Sequence, residues 1–288
     1  MTFSDETIEW EADGRKLRIG LTRAGTGPRL LMLPAPSSIS TRAELRPLQG
    51  RLADRYTCIA ADLPGFGEGP KPKIDWRPDH LRSWISLLLR DIVKPDAIVA
   101  AGHAAGYVID HAARHPGGTG PLLLLSPTWR GPLPTMAGKR LPIFGAMARA
   151  VDPPVAGAAF YRLNVNGPVI RMMARGHVYG DPAWFTPERM AEKRKVTESP
   201  GARHASFRFV TGELDPFTSR EDFLAAASQA STRINVLYGA RTPRKTMAEI
   251  AALNALPHVT SLSVAQGKLS FYEEHPDQTA EGLLGLLT

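Results

Sequence analysis

The run Ala97-Ile-Val-Ala-Ala-Gly-His-Ala-Ala-Gly-Tyr-Val-Ile-Asp-His111 constrains this chain more than any other. Its first five residues are small and apolar, the composition of a strand buried on both faces. Gly102 and Gly106 punctuate a sharp turn, and a helical pattern follows to about His115. The spacing Gly102-x-Ala104-x-Gly106 predicts so close an approach of strand and helix that a Cβ would clash at either glycine. Ala104 stands at the tip of the predicted turn and presents only a methyl group.

The same alternation of strand and helix recurs along the chain. Asp13-Gly14 between two alternating runs predicts a hairpin. Residues 29–33, 56–62, 122–125, 233–238 and 258–264 read as short strands, several of them wholly apolar. Helical patterns cover 42–53 (Leu45, Leu48 and Leu52 on one face, Pro47 a potential kink), 78–93 (Asp79 as N-cap), 247–256 and 276–287. Continuously apolar strands separated by helices predict an α/β fold: a mostly parallel sheet with helices on both faces. From Thr128 to Ala230 the pattern turns helical and rich in Met, Arg and Pro. It is read as a helical lid, residues 132–230, inserted into a core domain of 1–131 and 231–288. Within it, the run 207–216 alternates like a strand and ends in Gly212-x-x-Asp215. Asp215 is there either as a displaced acid or as the opening of a helix capped by Ser219.

Composition excludes several classes of function. The net charge is +7, but the basic residues are scattered, and the densest run, Lys193-Arg194-Lys195, is flanked by Glu192 and Glu198. No basic stripe interleaved with aromatics is present, so nucleic acid is not expected as a partner. No apolar run reaches the length of a membrane span. Cys58, the one cysteine, permits no internal disulfide and reads as a buried core residue, which fits a reducing cytoplasm. No His, Cys, Asp and Glu grouping has metal-ligand spacing, and no Gly-rich loop follows the first strand, so neither metal nor cofactor is expected.

Taken together, the motifs resemble the α/β-hydrolase superfamily. Gly102-His-Ala-Ala-Gly106 resembles the G-x-S-x-G nucleophile elbow. Leu30-Leu-Met-Leu-Pro-Ala-Pro36 resembles the strand and oxyanion loop, and Asp62-Leu-Pro-Gly-Phe-Gly67 the D-x-P-G-x-G turn. Leu237-Tyr-Gly-Ala-Arg-Thr-Pro243 and Gly267-Lys-Leu-Ser-Phe-Tyr-Glu-Glu-His-Pro276 resemble the segments that carry the acid and the histidine. The resemblance implies a Ser-His-Asp triad, and this chain departs from it. Ala104 takes the nucleophile position, Thr242 the acid position and Leu269 the histidine position. The oxyanion loop reads Pro34-Ala35-Pro36, and neither proline has an N–H to donate.

What remains is a set of polar groups expected around a pocket. His103, beside the tip, is a candidate general base, or packs behind the elbow. His177 and Tyr179, in a polar group of the lid with Arg171, Arg175 and Asp181, are further catalytic candidates. Pro36, Ser37, Ala104, Ala105, Trp129, Arg130 and Thr242 are the expected substrate-binding residues. The Ala105 N–H, at a helix N-terminus, would receive an anion, Trp129 would stack on a flat ligand, and Arg130 would fork onto a carboxylate or phosphate. Three readings follow. The first is a small-molecule enzyme without covalent catalysis, acting on a possibly anionic substrate. The second is a binding protein without turnover, and the third a serine hydrolase altered at Ala104.

Overall fold

The structure, a computed structural model, describes residues 2–69, 71–264 and 266–287. Its strands are β1 (Phe3–Ala12), β2 (Arg15–Ala24), β3 (Arg29–Leu33), β4 (Thr57–Ala61), β5 (Ala97–Ala101), β6 (Leu122–Leu125), β7 (Ile234–Gly239) and β8 (Val259–Val264). Among the described residues they form one sheet in the order β1-β2-β4-β3-β5-β6-β7-β8. The β1–β2 and β2–β4 pairs are antiparallel, and the remaining neighbours run parallel. The hairpin turn is as expected: Asp13 and Gly14 both take left-handed conformations, which match the twist of the flanking strands.

Alternation along each central strand divides the core. Leu31, Leu33, Ile98, Ala100, Leu122 and Leu124 face one side. There they meet α2 (Pro78–Leu87), α3 (Ala104–Arg114), α10 (Arg220–Gln229) and α11 (Arg244–Asn254). Leu30, Met32, Val99, Ala101, Leu123 and Leu125 face the other side, against α1 (Arg46–Leu52) and α13 (Pro276–Leu287). Each leucine fully buried this way contributes roughly 1.5–3 kcal/mol. Cys58 is buried in the second layer, and burial pushes its thiol up to about 12.

Three local expectations change. Residues 42–53 are a tight 3-10 turn, Arg42–Leu45, followed by α1, because Pro47 suits a helix's first turn and begins the helix anew. Asp79 lies inside the first turn of α2, where it pairs with Arg82 (2.9 Å); Arg77 is the cap, and its N–H donates to His80 Nδ1 (3.2 Å). The strand-like run 207–216 is helix as far as Thr211 and turn beyond it.

That helix belongs to an excursion of six: α4 (Pro132–Ala137), α5 (Pro142–Ala150), α6 (Ala156–Asn164), α7 (Gly167–Met173), α8 (Pro187–Glu198) and α9 (Ala202–Thr211). Val151, Tyr161 and Phe207 form one small apolar centre there. Ile170, Ala174, Tyr179, Phe185 and Met190 form another, and Val165 packs against both. The excursion expected to reach residue 230 rejoins the core earlier. Leu214, Phe217, Phe223, Ala226 and Ala227 share the apolar layer of α3. Ser219 caps α10 as expected, in a reciprocal box with Asp222. The last helix of the chain is α13, preceded by the short α12 (Phe271–Glu274).

Candidate functional site at the strand-to-helix turn

The C-terminal ends of β3, β5, β6 and β7 lie along one edge of the sheet, with Leu33 beside Ala100, Ala101 beside Leu125 and Leu125 beside Leu237. The turn after β5 pivots on Gly102, whose φ is 51°. Its N–H donates to Leu125 O (2.8 Å), and its carbonyl accepts from Thr128 N (3.0 Å) and Ala105 N (3.2 Å). A Cβ placed on Gly102 would point at Ala35, 3.1 Å from that residue's Cβ. The residue that faces the β3 loop is therefore Gly102, not Ala104.

This corrects the expectation for Ala104 and Ala105. Ala104 begins α3 and is fully buried in the core, so its methyl does not stand at the tip. The Ala105 N–H closes the turn onto Gly102 O and is not held open for an anion. Gly106 is tight as expected: a Cβ there would lie 3.0 Å from Pro216 Cγ. In the facing loop Pro36 is buried, and Ser37 Oγ accepts from Ile39 N (3.3 Å), which holds the loop's own bend.

His103 turns away from solvent beneath the turn. Nε2 lies 3.0 Å from Leu214 O, which can only accept, so Nε2 carries the proton. Tyr107 Oη donates to the same carbonyl (2.7 Å). The ring stands edge-on to Phe209, with centroids 5.2 Å apart. Burial lowers its pKa to about 4, so the imidazole is neutral near pH 7, and Nδ1 is buried with no hydrogen-bond partner. Asp215 Oδ1 lies 3.5 Å from Nε2 and accepts from Gly131 N (2.8 Å); Oδ2 receives Arg140 Nη2 (2.9 Å). Burial raises the Asp215 carboxyl to about 7, against the pull of Arg140. Asp215 thus lies ahead of α10 and its cap Ser219, and pins Gly131 and Arg140 beneath the turn beside His103.

The other expected residues are dispersed. Trp129 is core: it stacks on Phe223, and Nε1 donates to Glu249 Oε2 (3.1 Å). The Arg130 guanidinium lies over the Trp129 ring, donates to Gly138 O (3.0 Å) and faces Glu249 (3.7 Å), so it is not free to fork onto a ligand. His177 is exposed in the turn that ends α7. Thr242 is buried after β7; its N–H donates to Gly239 O (2.9 Å), and Oγ1 has no hydrogen-bond partner. A surface groove of about 310 Å³ lined by Asp110, Arg114, Thr218 and Asp222 lies against α3 and α10, and none of its lining comes from the turn.

Tyr179 belongs to a buried ionic cluster that joins α8 to the core. Its hydroxyl donates to Glu273 Oε1 (2.9 Å), and Lys193 Nζ bridges Glu273 (2.9 Å) and Glu44 (3.4 Å). Tyr272 Oη donates to Glu44 Oε1 (2.7 Å). Burial and the Glu273 charge raise Glu44 to about 7, against Lys193. Burial opposes the Lys193 charge, but Glu273 and Glu44 hold its pKa above the usual amine value. Next to it, Glu274 accepts the N–H groups of Gly180 and Asp181, both at 2.8 Å. The signal for this cluster was available in the sequence. Met190, Lys193 and Val196 fall at helical spacing on one face, so that lysine sits on an apolar stripe. Among the described residues no group of three His, Cys, Asp or Glu side chains is placed to hold a metal.

Comparison with known proteins fits this architecture. A curated relative, the 2-(acetamidomethylene)succinate hydrolase of Mesorhizobium japonicum, is 31% identical over 115 residues; the match spans 39% of this chain and 40% of that protein. Among solved structures, the haloalkane dehalogenase DatA of Agrobacterium tumefaciens C58 superposes with a TM-score of 0.72 at 17% identity, covering 98% of this chain and 96% of its own. Cfl2 of Burkholderia cenocepacia gives 0.75 at 17% identity (99% and 96% covered). A bromoperoxidase of Bacillus anthracis gives 0.71 at 14% identity (98% and 99% covered). At those identities the structures speak for the fold alone. The family model described as the alpha/beta hydrolase family matches residues 30–281, and the chain belongs to that family.

Proposed function

We propose that this chain keeps the family's ligand-binding edge but has no covalent catalysis at its elbow, and that it binds a small molecule beneath a closed helical lid. The observation that carries this reading is Gly102. The residue facing the oxyanion-loop position has no side chain at all, and φ of 51° is a backbone state that side chains rarely adopt. Thr242 and Leu269 take the acid and histidine positions, and Pro36 cannot donate an N–H there. Ligands of open α/β sheets collect outside the carboxyl ends of the strands, the edge on which Gly102, Ala35 and Thr242 lie.

The groups expected to receive an anion are engaged elsewhere: Ala105 N–H by Gly102 O, Arg130 by Gly138 and Glu249. A neutral ligand suits that edge better than an anion. A second reading is turnover without a covalent intermediate: if the turn opens, the unpaired Nδ1 of neutral His103 takes a proton while Leu214 O and Asp215 orient its ring. The cytoplasm is the compartment we assign, on the single, deeply buried Cys58.

The test has two parts. In the presence of an activated ester, Ala104→Ser and Gly102→Ser should both show no burst; a stoichiometric burst from either overturns the reading. Native mass spectrometry of the purified protein, followed by a metabolite library that includes 2-(acetamidomethylene)succinate, should return bound but unchanged compounds. Consumption of a compound, lost on His103→Phe, establishes the second reading instead.

A further inference from the structure

We propose that the outer face of α5–α7 docks on an anionic membrane surface. These helices turn one side inward, where Phe144, Ala148, Val151, Tyr161 and Ile170 are buried. Their outer side is not the wholly polar face that a solvated helix presents. Ile143, Val155, Leu163 and Met172 are exposed there, from 60% for Ile143 to 83% for Val155. Arg149, Arg162 and Arg171 of the same helices, and Arg175 just after α7, are exposed as well.

The sequence around those arginines is poor in carboxylates. Between residues 142 and 177 the sequence has a single acid, Asp152. That carboxylate is already taken by His204 Nδ1 (2.8 Å) and Arg208 Nη2 (2.8 Å) from α9. The face is therefore both apolar and cationic. Water solvates the arginines but disfavours large apolar side chains exposed between them. An anionic lipid surface satisfies both, since apolar side chains enter the headgroup boundary while long arginines reach the phosphates. A second copy of the chain fits poorly, because a symmetric contact would set the same arginines against one another. No helix among the described residues is long and apolar enough to cross a membrane, so the contact would be peripheral.

Flotation with vesicles tests this. The full chain should float with phosphatidylcholine–phosphatidylglycerol vesicles and stay behind with phosphatidylcholine alone. Raising salt to about 0.5 M should reduce the bound fraction about tenfold, since the charges are exposed. Leu163→Glu/Met172→Glu and Arg162→Glu/Arg171→Glu should each lose binding about tenfold, and each should keep the wild-type circular dichroism because the changed side chains are exposed. Wild type that ignores the anionic vesicles overturns the proposal, as do variants that float like wild type. A concentration-dependent dimer abolished by Leu163→Glu, without vesicle binding, also overturns it and assigns the face to self-association.

Discussion

Lys193 Nζ lies 2.9 Å from Glu273 Oε2, a contact that ties α8 of the excursion to α12 of the core. Both side chains are nearly buried, so neither charge can turn to water when the other is removed. Truncating Lys193 leaves the Glu273 carboxylate in low dielectric without its cation. Lys193→Met should therefore cost about 3–5 kcal/mol, which for a chain of this size is on the order of 10 °C in Tm. Thermal unfolding measures the loss, and limited proteolysis within residues 132–211 should accelerate.

The same cluster sets a pH dependence. Glu44 titrates at about 7 in the fold against an ordinary value of 4.5, so its contribution is fully present below 4.5 and is lost as pH rises through 7. Glu44→Gln mimics the protonated form. Relative to wild type it should gain stability from pH 4.5 to 7, up to about 3 kcal/mol. Chemical denaturation of both proteins across that window is the measurement.

Beneath the turn two opposite signs meet. Asp215, raised from 3.8 to about 7, contributes stability below 3.8 that is lost as pH rises through 7. His103, lowered from 6.5 to about 4, contributes stability above 6.5 that is lost as pH falls through 4. His103→Phe should remove the acid-side loss between pH 6.5 and 4 and leave the neutral-side loss in place. Urea midpoints collected at intervals of pH separate the two.

Thr242 offers a contrast. Its hydroxyl is buried and makes no hydrogen bond, so Thr242→Val removes an unsatisfied group and should be neutral or stabilising, within about 1 kcal/mol. A large destabilisation in thermal melts would mean that Oγ1 has a partner in solution.

The sheet was legible because β3 after Arg29, β5 and β6 are short, apolar and bounded by turn residues, the pattern of a strand covered on both faces. The register of the elbow was not. Small residues fill both Ala100-x-Gly102-x-Ala104 and Gly102-x-Ala104-x-Gly106, and only the bond from Gly102 N to Leu125 O fixes which residue turns. The Phe-x-Phe alternation at 207–209 mimicked a strand, yet tertiary packing on α5 and α6, with Gly212 left-handed at the cap, makes it helix. Trp129 and Arg130 read as ligand groups because a strand end precedes them; their partner, Glu249, lies 120 positions from Trp129, beyond any local signal.

The central claim is that no serine in this chain acts as a nucleophile at the elbow. Treating the wild-type protein with a fluorophosphonate and weighing it intact tests this directly. The account predicts an unchanged mass. A single stoichiometric adduct, mapped to a serine at the strand edge such as Ser37, would contradict it.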